Sequence, residues 1–102
     1  MTVKLVVLYT QPEDTDSFEQ HYAGTHMPLV EQIPGLQRTE TGLVGAAADG
    51  GEMTFHRITE LYFADQDAMQ SAFGSDEGIA TAADYQKIAP AGSRMFVVPI
   101  ED

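Results

Sequence analysis

The residues best suited to chemistry lie in the segment Tyr22–Leu29, where a histidine stands between a glycine and a proline. Pro28 has no N–H to donate to the carbonyl of Gly24, and it disfavours helical geometry at the preceding residue. We therefore expect His26 at a point where a helix breaks or restarts, from which its imidazole can face a pocket. An imidazole titrates near neutral pH and can serve as a general acid or base. Tyr22, four residues earlier, shares its helical face if the helix continues.

A second set of polar side chains alternates along the strongest predicted strand, at positions 54–64. His56, Glu60 and Tyr62 share one face of that strand. Such groups are costly to bury unless they are paired or face a wet cavity, so a pocket between sheet and helices would account for them. Glu60 can pair with His26 in that pocket, and the pairing would raise the pKa of the histidine. The alternatives are a solvent-facing polar set or an ion pair between Glu60 and an arginine.

Large apolar side chains on several predicted elements can line a cavity suited to an aromatic or polycyclic ligand. Ordinary core packing is the alternative for each of them, as capping of backbone groups at the helix break is for His26. The candidate lining residues are Tyr9, Met69, Phe73 and Phe96. The predicted site therefore has His26, Glu60 and His56 as catalytic residues and Tyr9, Tyr22, Tyr62 and Phe73 as ligand-binding residues.

Metal and nucleotide chemistry are not indicated by the sequence. His21 and His26 are five residues apart, rather than the three or four that align two ligands on one helix. The glycine-containing stretch at 49–52 is acidic and indicates a turn rather than a phosphate-binding loop. No serine lies at a strand-to-helix elbow of the kind found in Ser-His-Asp hydrolases. We therefore expect neither a metal nor a cofactor.

Composition limits the partners and the compartment. The chain has 102 residues, 43% of them hydrophobic, which predicts a single domain over residues 1–102 with one core. Sixteen acidic and five basic side chains give a formal charge of −11, which repels nucleic acid and anionic membrane surfaces. Cysteine is absent, and the N-terminus has neither the basic region nor the long apolar run of a signal peptide, so we expect a cytoplasmic protein.

The elements that position these residues follow the order strand, helix, strand, strand, helix, strand. Strands are predicted at 3–9, 36–47, 54–64 and 94–100, and helices at 15–33 with a bend, from 65 or 67 to 74, and at 75–88. This order satisfies an α+β, ferredoxin-like βαββαβ fold with a four-stranded antiparallel sheet and the helices on one face.

Both faces of the first predicted strand are apolar. One side carries Val3, Leu5, Val7 and Tyr9, and the other carries Val6 and Leu8. The helices of so short a chain can cover only one face, and the uncovered face would expose more apolar surface than a soluble monomer usually tolerates. We therefore predict a homodimer in which two sheets pack face to face, with the choice of face left open.

Several segments together resemble a known family over nearly the whole chain. They are the opening strand ending in Tyr9, the segments 22–29 and 34–36, the strand end 60–65, and Ser75-Asp76-Glu77-Gly78. In these segments the chain is similar to the EthD family, named for ethyl tert-butyl ether degradation. The resemblance implies a dimeric α+β barrel of ferredoxin-like protomers and an association with oxidative degradation pathways. Structural relatives of the family include cofactor-independent monooxygenases, muconolactone-type isomerases and polyketide cyclases.

Two classes of function follow from these observations. In the first, the protein is a cofactor-independent enzyme, either an oxidoreductase of the monooxygenase kind or a proton-shuttling isomerase or cyclase, that acts on a hydrophobic or aromatic small molecule with His26 as general acid or base. In the second, it is a noncatalytic accessory protein that binds such a molecule for a neighbouring degradative enzyme.

Overall fold

The computed structural model describes residues 1–101 and has the predicted order of elements. The strands are β1 (Val3–Thr10), β2 (Arg38–Leu43), β3 (Phe55–Phe63) and β4 (Arg94–Pro99). The helices are α1 (Thr15–His21), α2 (Met27–Glu31), α3 (Gln66–Gly74) and α4 (Asp76–Ile88), and a π-helical turn, Tyr22–His26, joins α1 to α2. No helix within residues 1–101 combines the length and the apolar character needed to cross a bilayer.

The four strands form one antiparallel sheet in the order β2-β3-β1-β4. The two central strands are therefore β1 and β3, and the pairing aligns Val7 of β1 with Thr59 of β3 on one side and Met95 of β4 on the other. The predicted α+β, ferredoxin-like fold is confirmed. Strand β2 is shorter than expected, because its ladder with β3 ends where Leu43 pairs with Arg57.

The helices pack on one face of the sheet, and the core lies between these two layers. One cluster of buried side chains surrounds Phe63 and Val30, and a second, mainly aromatic cluster surrounds Tyr9. Both clusters use the side of β1 that carries Val3 and Val7. Strand alternation therefore places the neighbouring side chains of β1 on the opposite face.

That opposite face, which we call the open face, is covered by none of the helices within residues 1–101. Its apolar side chains are Val6, Leu8, Ile58, Phe96 and Val98. They are half-buried or exposed, and Phe96 keeps 37% of its surface in solvent. The structure thus resolves which face the helices leave unoccupied, a choice that the sequence left open.

The predicted helix break around Gly24 and Pro28 takes the form of a wider helical turn. The N–H of Met27 donates to the carbonyl of Tyr22, five residues back, which is the hydrogen-bond pattern of a π-helix. Met27 keeps right-handed helical angles (φ −63°, ψ −37°) although it precedes a proline. The missing N–H of Pro28 is accommodated by this change of register, so the helix widens without unwinding.

Candidate active site

A cavity of about 320 Å³ lies between the sheet and the helices. Its apolar lining comes from the strand residues Leu5, Val7, Leu61, Met95 and Val97 and from the helix residues Val30, Met69, Phe73, Ala82 and Tyr85. Met95 and Val97 remain 40% and 48% exposed, so the cavity opens to solvent beside the edge strand β4. An apolar pocket with few polar groups in its wall is the usual form of a small-molecule site.

His26 is the principal polar group in this wall, and its side chain is fixed at both ring nitrogens. The residue is 4% exposed. Its Nδ1 lies 2.8 Å from Oδ2 of Asp84, and its Nε2 lies 3.3 Å from the hydroxyl of Tyr9. A carboxylate can only accept a hydrogen bond, so we assign the ring proton to Nδ1, which leaves Nε2 as the acceptor.

Burial governs the charge of this histidine. Burial lowers the pKa of His26, and the hydrogen bond and charge of Asp84 offset this effect only in part. The imidazole is therefore neutral at physiological pH, and the lone pair on Nε2 accepts the hydrogen bond from the hydroxyl of Tyr9. A neutral imidazole backed by a carboxylate is the arrangement of a general base.

Tyr9 supplies a hydroxyl donor beside that base. The residue is 1% exposed and packs against Phe18, Tyr22 and Tyr85, with ring centroids 5.3, 5.7 and 5.7 Å away. Burial, followed by the neighbouring Tyr22 and Tyr85, raises the pKa of Tyr9 far above its ordinary value. The phenol therefore stays protonated and can donate either to Nε2 of His26 or to an oxygen of a bound molecule.

Asp84 was not among the residues identified from the sequence. It lies on α4, is 6% exposed, and binds His26 through Oδ2 and Nε2 of His21 through Oδ1, each at 2.8 Å. Burial raises the pKa of Asp84, but the hydrogen bonds from the two histidines outweigh burial and lower it overall. The carboxylate is thus ionised and has both oxygens occupied.

The residue spacing along α4 indicates that Asp84 belongs to a buried stripe of this helix. The apolar Ile79 of this helix is 58% exposed, whereas Thr81, Asp84 and Tyr85 are buried. Positions 81, 84, 85 and 88 follow helical spacing, and Tyr85 and Ile88 both pack into the aromatic cluster. An acidic residue inside such a stripe indicates a buried carboxylate with a partner.

The π-helical turn explains why both histidines reach the same carboxylate. Residues five apart diverge around an α-helix, but they come close to alignment when the turn contains an extra residue. The five-residue spacing of His21 and His26, which would separate their side chains on a regular α-helix, therefore still allows both to reach one carboxylate. Within residues 1–101, no group of three or more His, Cys, Asp or Glu side chains is arranged to hold a metal ion.

The predicted lining residues divide between the two faces of the sheet. Tyr9, Met69 and Phe73 line the cavity, whereas Phe96 lies on the open face. Tyr22 packs beside His26 at a ring distance of 5.8 Å, and its hydroxyl is hydrogen-bonded to Thr59 and Thr41. Tyr22 therefore packs against a residue of the cavity wall but does not itself line the cavity.

Glu60 and Tyr62 are not brought to His26. Glu60 accepts a hydrogen bond from Nζ of Lys4 at 3.0 Å, and the hydroxyl of Tyr62 donates to Glu40 at 2.7 Å, both on the open face. The pairing of Glu60 with His26 is therefore not formed, and Asp84 takes its place. The helices cover the face of β3 that carries Leu61 and Phe63, which turns the even-numbered residues away.

His56 also lies outside the cavity, but an irregularity in the sheet places it beside α1 and not on the open face with Glu60. Tyr9 pairs with Arg57, whereas Thr10 pairs with Phe55, so His56 is an extra residue in the ladder. Its Nε2 lies 2.9 Å from Oε2 of Glu19 on α1. Arg57 donates to both oxygens of the same carboxylate, so these side chains form an ion cluster that ties α1 to β3.

We expect Glu19→Ala to reduce the free energy of unfolding by about 2 kcal/mol at pH 7, because it removes the acceptor of two partly buried donors, His56 and Arg57. The hydrogen bond from Arg57, followed by that from His56, lowers the pKa of Glu19 against the effect of burial. Its stabilisation is therefore complete above the ordinary carboxyl pKa of 4.5 and is lost as pH falls through the lower folded-state value. Urea titrations of both proteins should show the difference shrinking in acid.

Glu31→Ala is the matched control, since Glu31 ends α2 with an exposed side chain. We expect a change within about 0.5 kcal/mol for this variant. Equal losses of stability in the two variants, or a Glu19→Ala effect that does not depend on pH, would contradict the role assigned to the ion cluster.

Comparison with known proteins identifies the family. The model of the EthD domain matches residues 10–90. An uncharacterized 11.0 kDa protein of Rhodococcus erythropolis, encoded in the thcB-thcC intergenic region, is 34% identical over 93 residues, which cover 91% of this chain and 89% of that protein. The crystal structure of an EthD family protein from Bacillus halodurans C-125 is 36% identical, with a TM-score of 0.92, and covers 99% of this chain and 100% of its own.

Two solved structures of lower identity share the fold. SnoaB, a cofactor-independent oxygenase from Streptomyces nogalater, is 17% identical with a TM-score of 0.68, covering 99% of this chain and 94% of its own. A dimeric ferredoxin-like protein of unknown function from Thermobifida fusca YX is 14% identical with a TM-score of 0.73, covering 98% and 92%. The family match over most of the chain, together with the two relatives above 30% identity, shows that this protein is a member of the EthD family.

Proposed function

We propose that this protein is a small cofactor-independent enzyme that begins its reaction by taking a proton from a hydrophobic small molecule. One observation carries the proposal: a buried, neutral imidazole lines an apolar cavity, with Nε2 beside the hydroxyl of Tyr9 and Nδ1 held by an ionised carboxylate. Burial disfavours the protonated form of this imidazole before the reaction. The charge of Asp84 nevertheless stabilises the imidazolium once His26 has accepted a proton.

The first chemical step uses three side chains. Nε2 of His26 accepts a proton from an acidic C–H or O–H of the bound molecule, and the resulting imidazolium keeps its Nδ1–H bond to Asp84. The hydroxyl of Tyr9, released from Nε2, donates to the oxygen on which negative charge develops. The products of this step are a bound enolate or phenolate and a protonated His26.

The shape of the cavity limits the substrate. A volume of about 320 Å³ is at the lower end of the range for ligand pockets, which fits a compact molecule of one or two rings. The lining residues with polar side-chain atoms are His26, Tyr9, Tyr85, Thr59 and Thr81, whereas the other lining residues are apolar. We therefore expect an apolar ring body with an oxygen substituent directed toward His26.

The fate of the anion distinguishes two reaction classes. An electron-rich anion can react directly with dioxygen, as in a monooxygenase, and the shared fold with the cofactor-independent oxygenase from Streptomyces nogalater supports this class. Return of the proton to a different atom would instead give an isomerisation or cyclisation. The second candidate function is noncatalytic binding, which the mainly apolar cavity also supports.

The test is a turnover screen with hydroxyarenes, cyclic ketones and lactones of one or two rings, run under air and under nitrogen. Consumption that requires air indicates an oxygenase, and consumption in both atmospheres indicates proton transfer alone. Saturable binding of panel members without consumption of any would favour the binding module. Absence of both binding and consumption across the panel would contradict the substrate class.

We also propose that the functional unit is a homodimer whose two copies meet through their open faces. The apolar side chains of that face are more exposed than a soluble monomer favours, and the related Thermobifida fusca structure is described as dimeric. We expect wild type to sediment as a dimer at micromolar concentration. Phe96→Asp should be monomeric, because it places a carboxylate in the contact once per copy.

Ile79→Asp is the control for this experiment, since Ile79 is 58% exposed but lies on α4, away from the open face. This variant should remain dimeric. A wild-type monomer at micromolar concentration, or dissociation caused equally by both substitutions, would overturn the proposed interface.

A further inference from the structure

One feature of the site has no part in the proton transfer itself: the second histidine on Asp84. The side chain of His21 is 35% exposed, and it lines a groove of about 560 Å³ between the start of α1 and the end of α4. His26 lies on the opposite side of the carboxylate and lines the apolar cavity. The row His21, Asp84, His26 therefore crosses the helical layer from solvent to the buried base.

We infer that His21 is a positioning residue that acts on His26 through Asp84. The protonation of His21, which lines the solvent groove, sets how strong a base His26 is. This inference rests on the proposed function, in which His26 is the base. The N–H of a neutral or protonated His21 holds Oδ1, which leaves Oδ2 directed at Nδ1 of His26. The orientation of the carboxylate is thus fixed from outside the cavity.

The electrostatic step follows from the shared carboxylate. One negative charge can balance one imidazolium, and a second imidazolium on the same carboxylate is opposed by repulsion between like charges. When His21 is neutral, the full charge of Asp84 supports protonation of His26. When His21 carries a proton, that support is divided, and His26 becomes the weaker base.

The other groups around the pair do not provide the same connection. Tyr9 of β1 and Tyr22 of the π-helical turn contact His26, Tyr85 of α4 lines its cavity, and Glu13, Asp14 and Lys87 line the groove at His21. Asp84 is the group with a charge-assisted hydrogen bond to each histidine. Coupling between the two imidazoles is therefore expected to pass mainly through its carboxylate.

The inference can be tested without a substrate, by following the imidazole resonances of His26 in the full-length protein during a pH titration by NMR. His21→Gln retains an N–H donor for Oδ1 but cannot carry a charge. We expect the His26 titration to move to higher pH in this variant and to become a single step. His56→Gln is the control and should leave the His26 titration unchanged, because His56 is bound to Glu19 outside the cavity.

An unchanged His26 titration in His21→Gln would overturn the role of His21, even if turnover still depends on His26. Loss of the His26–Asp84 contact in that variant, seen as loss of the downfield Nδ1 proton signal, would also overturn it, because the glutamine should preserve the position of Asp84. A shifted titration in a protein without catalytic activity would instead support the coupling and contradict the proposed enzyme. The two proposals therefore fail by different measurements.

Discussion

Replacing His26 by alanine is expected to lower turnover by a factor on the order of 10² or more, the usual size of a general acid–base contribution. The substitution removes the imidazole whose Nδ1 contacts Asp84 and whose Nε2 contacts the hydroxyl of Tyr9. It leaves the apolar lining of the cavity in place, so the affinity for a hydrophobic ligand should change far less than turnover. Steady-state kinetics and equilibrium binding on the same substrate measure the two effects separately.

His56→Ala is the matched control, because it removes a histidine that lies in the ion cluster with Glu19 and Arg57. This variant should retain turnover per folded molecule, although its free energy of unfolding should fall. A His26→Ala protein that loses affinity while no turnover is found for wild type would identify a binding module. Equal losses of turnover in the two variants would contradict His26 as the specific base.

Gly78→Ala is expected to destabilise the fold by about 3 kcal/mol, at the upper end of the usual cost of overpacking. A Cβ atom at this position would lie 2.1 Å from the carbonyl oxygen of Ala72 and 2.7 Å from Cα of Phe73. Both atoms belong to the backbone of α3, so they cannot move away as a flexible side chain would. Helix propensity alone would make the alanine variant more stable by about 1 kcal/mol. A measured loss of stability would therefore be due to the close contact with α3.

The close approach has a visible cause at the junction of the two helices. The hydroxyl of Ser75 donates to the carbonyl of Ala72 and accepts from the N–H of Gly78 at 3.1 Å, which holds the start of α4 against the end of α3. This contact gives a structural role to the Ser75–Gly78 segment that carried part of the family resemblance.

Gly24→Ala is the control, since a Cβ atom there meets nothing within 4 Å and the residue lies within the π-helical turn. We expect this variant to be as stable as wild type or more stable. Urea denaturation of the three proteins measures the difference. A Gly78→Ala protein as stable as wild type would show that the two helices can separate at no cost.

Local patterns predicted most elements of the fold. The β-branched run at Val3–Tyr9 and the alternation along β3 indicated strands, and the serine at 75 marked the start of α4. The order of these elements then allowed few topologies, because short antiparallel connections restrict which strands can be neighbours. Local patterns did not indicate which face of α4 is buried, because its side-chain spacing is weakly amphipathic: Ile79 is exposed and Asp84 is buried.

The candidate site was predicted only in part. His26, Tyr9 and Phe73 were identified from residue type and local position, and all three line the cavity. Glu60 was assigned to the wrong side because alternation shows which residues share a face but not which face the helices cover. His56 was grouped with Glu60, but the extra residue in the β1–β3 ladder interrupts the alternation and lets His56 reach Glu19 on α1, which local alternation does not show.

The sequence by itself determined the elements, the family and the choice of His26, because hydrophobic periodicity, caps and breakers act within a few residues of the chain. Tertiary structure alone decided the partner of that histidine. Asp84 is 58 residues away, and it reaches His26 only because the π-helical turn redirects the imidazole while α4 packs against that turn. A contact over such a separation depends on the packing of whole elements, which no local pattern records.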